Sequence, residues 1–399
     1  GELVATSPET NADGTTYFDC DIPIRGEQYG SSTHKDAATN SGKYIVREIR
    51  APLGYYVNEE PMEVTFTYDG QAVQVLENTC TDKPTEMWVS KRDLTNDEEL
   101  PGATLSIKDS DGNVVESWVS TDTPHRVMGL HLGDAYTLTE TRPADGYALA
   151  DEITFRLLQK VDENGSNLQE AEVYYLTEKS LLFWTWDDWK LLDDATVIMR
   201  DDTIKVEISK KDLTTMEELP GAELAITDKD GKEIDRWVST DKPHYIEKLP
   251  AGTYTLTEAK APDGYALAES VPFTVLPTGE VQQFEMLDDV IKVEISKKDL
   301  TTMEELPGAE LTITDKDGKE IERWVSTDKP HYIEKLPAGD YTLTEITAPD
   351  GYAFAESVPF TVTPTGEVQQ FEMLDDVIKV EISKKDLTTM EELPGAELT

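Results

Sequence analysis

Lys205-Val206-Glu207-Ile208-Ser209-Lys210-Lys211 alternates by parity, with Val206, Ile208 and Lys210 on one side and Lys205, Glu207, Ser209 and Lys211 on the other. Successive side chains of a strand point to opposite faces, so the run reads as a half-buried strand with a lysine on its apolar face. Tyr254-Thr255-Leu256-Thr257-Glu258 places Glu258 beside Tyr254 and Leu256 in the same way. Phe284-Glu285-Met286-Leu287-Asp288-Asp289 places Asp288 beside Phe284 and Met286. Burying a lone charge costs several kcal/mol unless it is paired or neutralised. Three such residues in one stretch of chain ask for a chemical reason.

The stretch recurs. Residues 205–291 and 292–378 differ at seven positions, among them Ala225/Thr312 and Leu267/Phe354. A further copy starts at Lys379, and a diverged copy opens with Met87-Trp88-Val89-Ser90-Lys91-Arg92-Asp93. The N-terminal stretch holds only the back half of a repeat, with Tyr44-Ile45-Val46-Arg47-Glu48 and Ala51-Pro52-Leu53-Gly54-Tyr55. The reading is therefore an incomplete repeat (1–84), a diverged repeat with an aromatic insertion (85–203), two complete repeats (204–290 and 291–377) and the start of another (378–399). On this reading the chain is a window cut from a longer array. It shows no initiator Met, signal peptide or terminal anchor.

Turn signals punctuate each repeat at Leu219-Pro220-Gly221, Asp228-Lys229-Asp230-Gly231, Leu249-Pro250-Ala251-Gly252, Ala261-Pro262-Asp263-Gly264-Tyr265 and Pro277-Thr278-Gly279. Val, Ile, Thr and Tyr lie between them, which predicts an all-β sandwich of about seven strands. No sustained 3.6-residue period appears, although Met216-Glu217-Glu218-Leu219 fits one short turn. Only a residue or two around Val290-Ile291 separates consecutive repeats, with no Gly/Ser or Pro-rich linker. A stiff tandem array, its domains end to end and each contacting its neighbours, follows more naturally than a flexible string.

The bulk composition narrows the partners. The 399-residue chain has a net charge of -45, which argues against nucleic acid or an anionic membrane surface as a ligand. A hydrophobic content of 38% suffices for cores. No run of eighteen apolar residues occurs, so nothing in this segment reads as a membrane span. Cys20 and Cys80 are the two cysteines, and a disulfide between them is one option that the sequence leaves open.

An amine pressed against a carboxyl without water loses its aqueous behaviour, because desolvation disfavours both charged forms. A neutral amine is a nucleophile, and holding it in attack geometry is worth roughly 7–11 kcal/mol of barrier. Lys210 would attack the side-chain carbonyl carbon of Asp288 while Glu258 polarises that carbonyl and shuttles protons. The product is an isopeptide amide, formed once, with one water released and no cofactor. Lys297, Glu345 and Asp375 repeat the set, with the same 78-residue separation of lysine and aspartate. Lys91, Glu140 and Asp201 repeat it in the diverged copy, whose separation is 110 residues. By chain entropy, a cross-link closing 78 residues is worth roughly 4–5 kcal/mol.

The ordered series Ile208-Ser209-Lys210-Lys211-Asp212, Leu219-Pro220-Gly221-Ala222-Glu223-Leu224, Tyr254-Thr255-Leu256-Thr257-Glu258 and Ala261-Pro262-Asp263-Gly264-Tyr265 resembles the Cna B-type, or SpaA-type, domains of Gram-positive surface adhesins and pilins. The resemblance covers nearly the whole chain. It implies a transthyretin-like (prealbumin-like, Ig-like) β-sandwich with a spontaneous Lys–Asp or Lys–Asn isopeptide bond. The family's lysine falls on Lys91, Lys210, Lys297 and Lys384, its glutamate on Glu48, Glu140, Glu258 and Glu345, and its acceptor on Asn78, Asp201, Asp288 and Asp375. Each aspartate is the first of a pair, so a slip in register would make Asp202, Asp289 or Asp376 the acceptor. Glu48, Asn78 and Lys384 are remnants without a full set of partners. The resemblance further implies an extracellular stalk segment, anchored to a cell wall in the full-length protein.

Two other features bear on function. The diverged repeat carries extra residues between Phe155 and Asp201, including Tyr174-Tyr175 and Leu181-Leu182-Phe183-Trp184-Thr185-Trp186-Asp187-Asp188-Trp189. The aromatic rings at 160–190, or the loops, suit a contact surface for a host extracellular-matrix protein or glycan; the rings also suit a hairpin covering the sandwich edge, and the hairpin is preferred. Trp118, Trp237 and Trp324 read as packing residues, and His125, His244 and His331 recur singly, without evident partners. No metal site is expected: Asp228-Lys229-Asp230-Gly231 lacks the remaining ligands of a calcium loop and reads as a hairpin turn. No phosphate loop, metalloprotease helix or nucleophile elbow supports a conventional enzyme.

Overall fold

The computed structural model describes residues 3, 5–18, 43–65, 77–181, 184–192 and 194–399, and among them are 25 strands and no α-helix. Cys20 and the Leu182-Phe183 part of the aromatic run lie outside the described residues. The chain forms two compact units, one of residues 1–144 with 148–202, the other of 145–147 with 203–399.

In the first unit, β1 (Lys43–Val46) pairs antiparallel with β2 (Met62–Thr65). The diverged repeat contributes β3 (Glu86–Asp93), β4 (Thr104–Lys108), β5 (Val114–Val119), β6 (His125–Met128), β7 (Ala135–Arg142), β8 (Ile153–Val161), β9 (Asn167–Leu181), β10 (Trp184–Leu191) and β11 (Thr196–Asp201). These form a three-stranded sheet, β11-β3-β6, and a six-stranded sheet, β10-β9-β8-β7-β4-β5. The insertion is thus a long hairpin, β9 and β10, that continues the larger sheet from β8. Arg156 sits 4.3 Å from the Trp189 ring centroid and 5.8 Å from that of Tyr174, so two of the inserted rings are occupied by a cation of the repeat itself.

In the second unit, the first complete repeat consists of seven strands: β12 (Lys205–Asp212), β13 (Glu223–Asp228), β14 (Glu233–Val238), β15 (His244–Glu247), β16 (Gly252–Lys260), β17 (Val271–Val275) and β18 (Val281–Asp288). The next has the same seven: β19 (Lys292–Asp299), β20 (Glu310–Asp315), β21 (Glu320–Val325), β22 (His331–Glu334), β23 (Gly339–Thr347), β24 (Val358–Val362) and β25 (Val368–Asp375). Each repeat is a sandwich of a three-stranded sheet, β15-β12-β18 or β22-β19-β25, and a four-stranded sheet, β14-β13-β16-β17 or β21-β20-β23-β24. This is the all-β tandem architecture that the turn spacing predicts.

The first and last strands of each repeat are parallel neighbours, with Lys210 opposite Met286 and Asp212 opposite Asp288. β12 buries every second residue, as its sequence parity requires. Its Val206 and Ile208 join Leu224, Ile226, Leu256 and Met286 in one core. Fully burying a leucine of that kind contributes roughly 1.5–3 kcal/mol. The Asp228 turn closes as a hairpin: its carboxylate accepts the Asp230 and Lys232 N–H groups at 2.9 Å.

The local turn after β12 lies earlier than its sequence suggests. It covers Leu213–Thr215, not Met216–Leu219, because the Asp212 carboxylate accepts the Thr214 and Thr215 N–H groups at 2.8 and 3.0 Å. Met216 then takes a left-handed φ of 58°.

Candidate functional site

Three buried ionisable side chains converge in the core of each complete repeat. In the first, Lys210 comes from β12 and Asp288 from β18, which pair within one sheet, while Glu258 reaches across from β16 in the other. Lys210 and Asp288 are each 1% exposed and Glu258 is 3% exposed, so all three are removed from water. Lys210 donates a hydrogen bond to Asp288 Oδ1 and stands 3.0 Å from Glu258 Oε1. Glu258 is held from behind, its Oε2 accepting the Ala268 N–H at 2.8 Å.

The set recurs with the same connections. Lys297 donates to Asp375 Oδ1 and lies 3.0 Å from Glu345, which accepts the Ala355 N–H at 2.8 Å. Lys91 donates to Asp201 Oδ1 and lies 2.8 Å from Glu140, which accepts the Ala150 N–H at 2.8 Å. In all three places the second aspartate oxygen, Oδ2, is buried without a hydrogen-bond partner. A buried unsatisfied oxygen costs free energy, so its threefold recurrence needs an explanation.

Burial drives the aspartates toward the neutral acid. It is the largest cause of the rise of Asp201 and Asp288 to about 7; the lysine opposes it, and the adjacent Glu140 or Glu258 adds to it. Asp375 is raised from the same causes. A protonated carboxyl near neutral pH is an electrophile that an amine can attack, which a carboxylate is not.

The structure brings the first aspartate of each pair to the lysine. The second pairs elsewhere in both complete repeats: Asp289 Oδ2 lies 2.6 Å from Lys292 and Asp376 Oδ2 lies 2.8 Å from Lys379. Glu48 keeps the backbone clamp of the other glutamates, accepting the Asn58 N–H at 2.7 Å, and burial raises its carboxyl. Asn78, Lys384 and Cys80 are exposed.

The histidines have partners that their sequence context does not announce. Trp237 stacks on His244 with ring centroids 4.1 Å apart, and His244 Nε2 lies 2.8 Å from Asp235. Trp118–His125–Glu116 and Trp324–His331–Glu322 do the same. The signal available in the sequence is the acid two residues before each tryptophan and nine before each histidine. Among the described residues no group of three His, Cys, Asp or Glu is placed to hold a metal ion. No helix among them is long and apolar enough to cross a membrane.

The profile of the SpaA prealbumin-like fold domain matches residues 85–172, 204–289 and 291–376. The chain belongs to that family. The match to SpaA-type domains includes the lysine and the glutamate of all three repeats, and in the two complete repeats the aspartate as well. No curated protein sequence matches the chain. Among solved structures, the Bacillus anthracis TIE protein is 22% identical, with a TM-score of 0.37, over 80% of this chain and 55% of its own. BcpA, the major pilin subunit of Bacillus cereus, is 13% identical with a TM-score of 0.29, over 74% of this chain and 99% of its own. The shaft pilin SpaA from Lactobacillus rhamnosus GG is 15% identical with a TM-score of 0.23, over 45% of this chain and 99% of its own. The family match, and not these overlays, decides the assignment. In each complete repeat the lysine and aspartate lie at the seam between the first and last strands, and the glutamate faces them from the other sheet.

Proposed function

We propose that the chain is a stalk segment of a cell-surface adhesin or pilin-like protein, each complete repeat of which closes an internal Lys–Asp isopeptide bond. The bonds join Lys91 to Asp201, Lys210 to Asp288 and Lys297 to Asp375, with Glu140, Glu258 and Glu345 as proton shuttles. On this reading the segment is extracellular, and its chemistry is a single turnover per repeat, not enzymatic catalysis.

The observation that carries the reading is the recurrence of a dry lysine, glutamate and aspartate with one aspartate oxygen left unpartnered. In the reaction the neutral lysine amine attacks the Cγ of the protonated aspartate and, as the C–N bond forms, passes one N–H proton to the glutamate carboxylate. The glutamate then returns a proton to the departing Oδ2 hydroxyl. One C–N bond forms, one C–O bond breaks and one water leaves, so atoms and charge balance. The backbone N–H on each glutamate's other oxygen fixes the shuttle between donor and acceptor.

Intact mass under denaturing conditions tests the reading, since each bond removes one water. A second reading, recognition of host matrix protein or glycan through 160–190, is weaker because Arg156 already engages Trp189 and Tyr174. Binding of the full chain on a glycan or matrix-protein array, lost in Trp189→Ala, would promote it.

A further inference from the structure

Lys335 follows β22 with a left-handed φ of 61°, a conformation that a side chain with a Cβ rarely adopts. Its N–H donates to Ile291 O at 2.9 Å, and the Ile291 N–H donates to Gly264 O at 2.9 Å. Gly264 belongs to the preceding repeat, and a Cβ there would meet Lys335 O at 2.7 Å. Lys335 Nζ donates to the Tyr265 hydroxyl at 2.6 Å and lies 3.5 Å from Asp212 Oδ2. The Tyr265 hydroxyl in turn donates to Asp212 Oδ2 at 2.7 Å. Burial pushes the Asp212 carboxyl up, but Tyr265, the Thr215 and Thr214 N–H groups and Lys335 together bring it down to about 2.

The arrangement recurs within the second compact unit. Lys248 also has a φ of 61°, its Nζ donates to the Tyr147 hydroxyl at 2.6 Å, and a Cβ on Gly146 would meet Lys248 O at 2.6 Å. The receiving half forms without a lysine as well. The Tyr352 hydroxyl donates to Asp299 Oδ2 at 2.7 Å, and Asp299 accepts the Thr301 and Thr302 N–H groups at 2.7 and 2.9 Å. Nothing among the described residues lies within 4 Å of a Cβ built on Gly351.

We propose that the joint between successive repeats is a specific recognition site, in which the left-handed lysine of one repeat docks into a preformed Gly–Tyr–Asp socket of the repeat before it. Lys335 is the key for Gly264, Tyr265 and Asp212, and the Gly351–Tyr352–Asp299 socket takes a further repeat of the same type. The joint is short and carries directional hydrogen bonds on one side and a steric limit on the other. It therefore fixes the angle between repeats, which a bare two-residue connection does not. The proposal goes beyond the cross-links and does not depend on them.

The test is pulsed electron-spin distance measurement on the full chain. Spin labels replace Lys232 and Lys319, which lie in equivalent exposed hairpins, and serine replaces Cys20 and Cys80. A single narrow distance distribution is expected. Lys335→Met, Tyr265→Phe and Gly264→Ala should each abolish that narrow distribution while the melting of the repeats stays unchanged. A distribution as narrow in Lys335→Met as in the parent overturns the proposal. So does broadening in Lys335→Met that Tyr265→Phe does not reproduce. If Lys335→Met fails to fold, the other two variants decide alone, and a narrow distribution in both overturns it. None of these substitutions touches Lys297, Glu345 or Asp375, so failure here is distinct from failure of the cross-link reading.

Discussion

Lys210 and Asp288 meet across the parallel seam between β12 and β18, although 78 residues separate them in the chain. The contact lies near the end of β12 and at the end of β18, so the chain leaves the repeat beside it, having entered at Lys205 at the other end of the seam. With an amide at that point, tension entering at Ile204 would leave near Val290 without crossing the 78-residue loop. Hydrogen bonds in the two sheets would carry almost none of it.

The diverged repeat and the two complete repeats should together give a mass three waters below that of the sequence. Lys297→Ala or Glu345→Gln should each restore one water and lower the stability of that repeat by roughly 4–5 kcal/mol, the chain-entropy worth of a loop of this size. Glu345→Gln is the cleaner variant, since it keeps the side-chain volume. A mass unchanged by either substitution would remove the assignment.

The two aspartates of a pair should behave oppositely. Asp288→Ala should abolish the loss of water in its repeat, because Asp288 faces Lys210. Asp289→Ala should leave the mass deficit intact, because Asp289 pairs with Lys292 at 2.6 Å. Both members of that pair are partly exposed, so its loss should cost no more than about 1 kcal/mol. Mass and thermal melting of the two variants read both effects.

Parity along single strands was enough to place the lysine, glutamate and aspartate inside, because one face of each sheet packs on a core and the period of two leaves no freedom. The spacing of the turn signals gave the strand count in the complete repeats. Parity put the first aspartate of each pair inward unless the register slipped, and the structure sets that first aspartate against the lysine. The Trp237–His244–Asp235 stack and the Lys335–Tyr265–Asp212 joint were not legible. Each depends on which strands become neighbours, and the chain pattern encodes burial much more directly than neighbourhood. The short turn was misplaced for a local reason, since Asp212 competes for backbone N–H groups that a helical reading assigns to carbonyls.

Amide formation should slow as pH rises above about 7. The folded Asp288 carboxyl is raised to about 7 from 3.8, so it is protonated over a range where the unfolded chain is ionised. In an unreacted repeat that protonation stabilises the fold fully below 3.8 and is lost as pH rises through about 7. The electrophile is the protonated form, so the reaction rate follows the same limb. Chains refolded from denatured inclusion bodies into buffers between pH 6 and pH 9, about one and two units either side of the titration, should lose water progressively more slowly. A rate that rises steadily across that range would contradict the role given to Asp288.

Single-molecule stretching reads the mechanical consequence directly. In the parent chain the two complete repeats should add no extension, because each amide bypasses the loop it closes. Glu345→Gln leaves Lys297 and Asp375 unjoined, and the 78 residues between them become free to extend once the repeat unfolds. At 3.3–3.6 Å per residue that segment adds about 26–28 nm of contour. One new extension event of that size should therefore appear in Glu345→Gln, and a second in Glu345→Gln combined with Glu258→Gln. Extension events of this size already present in the parent chain, with its mass deficit intact, would show that tension reaches the sheets despite the bond. The stalk role would then need a different mechanical basis.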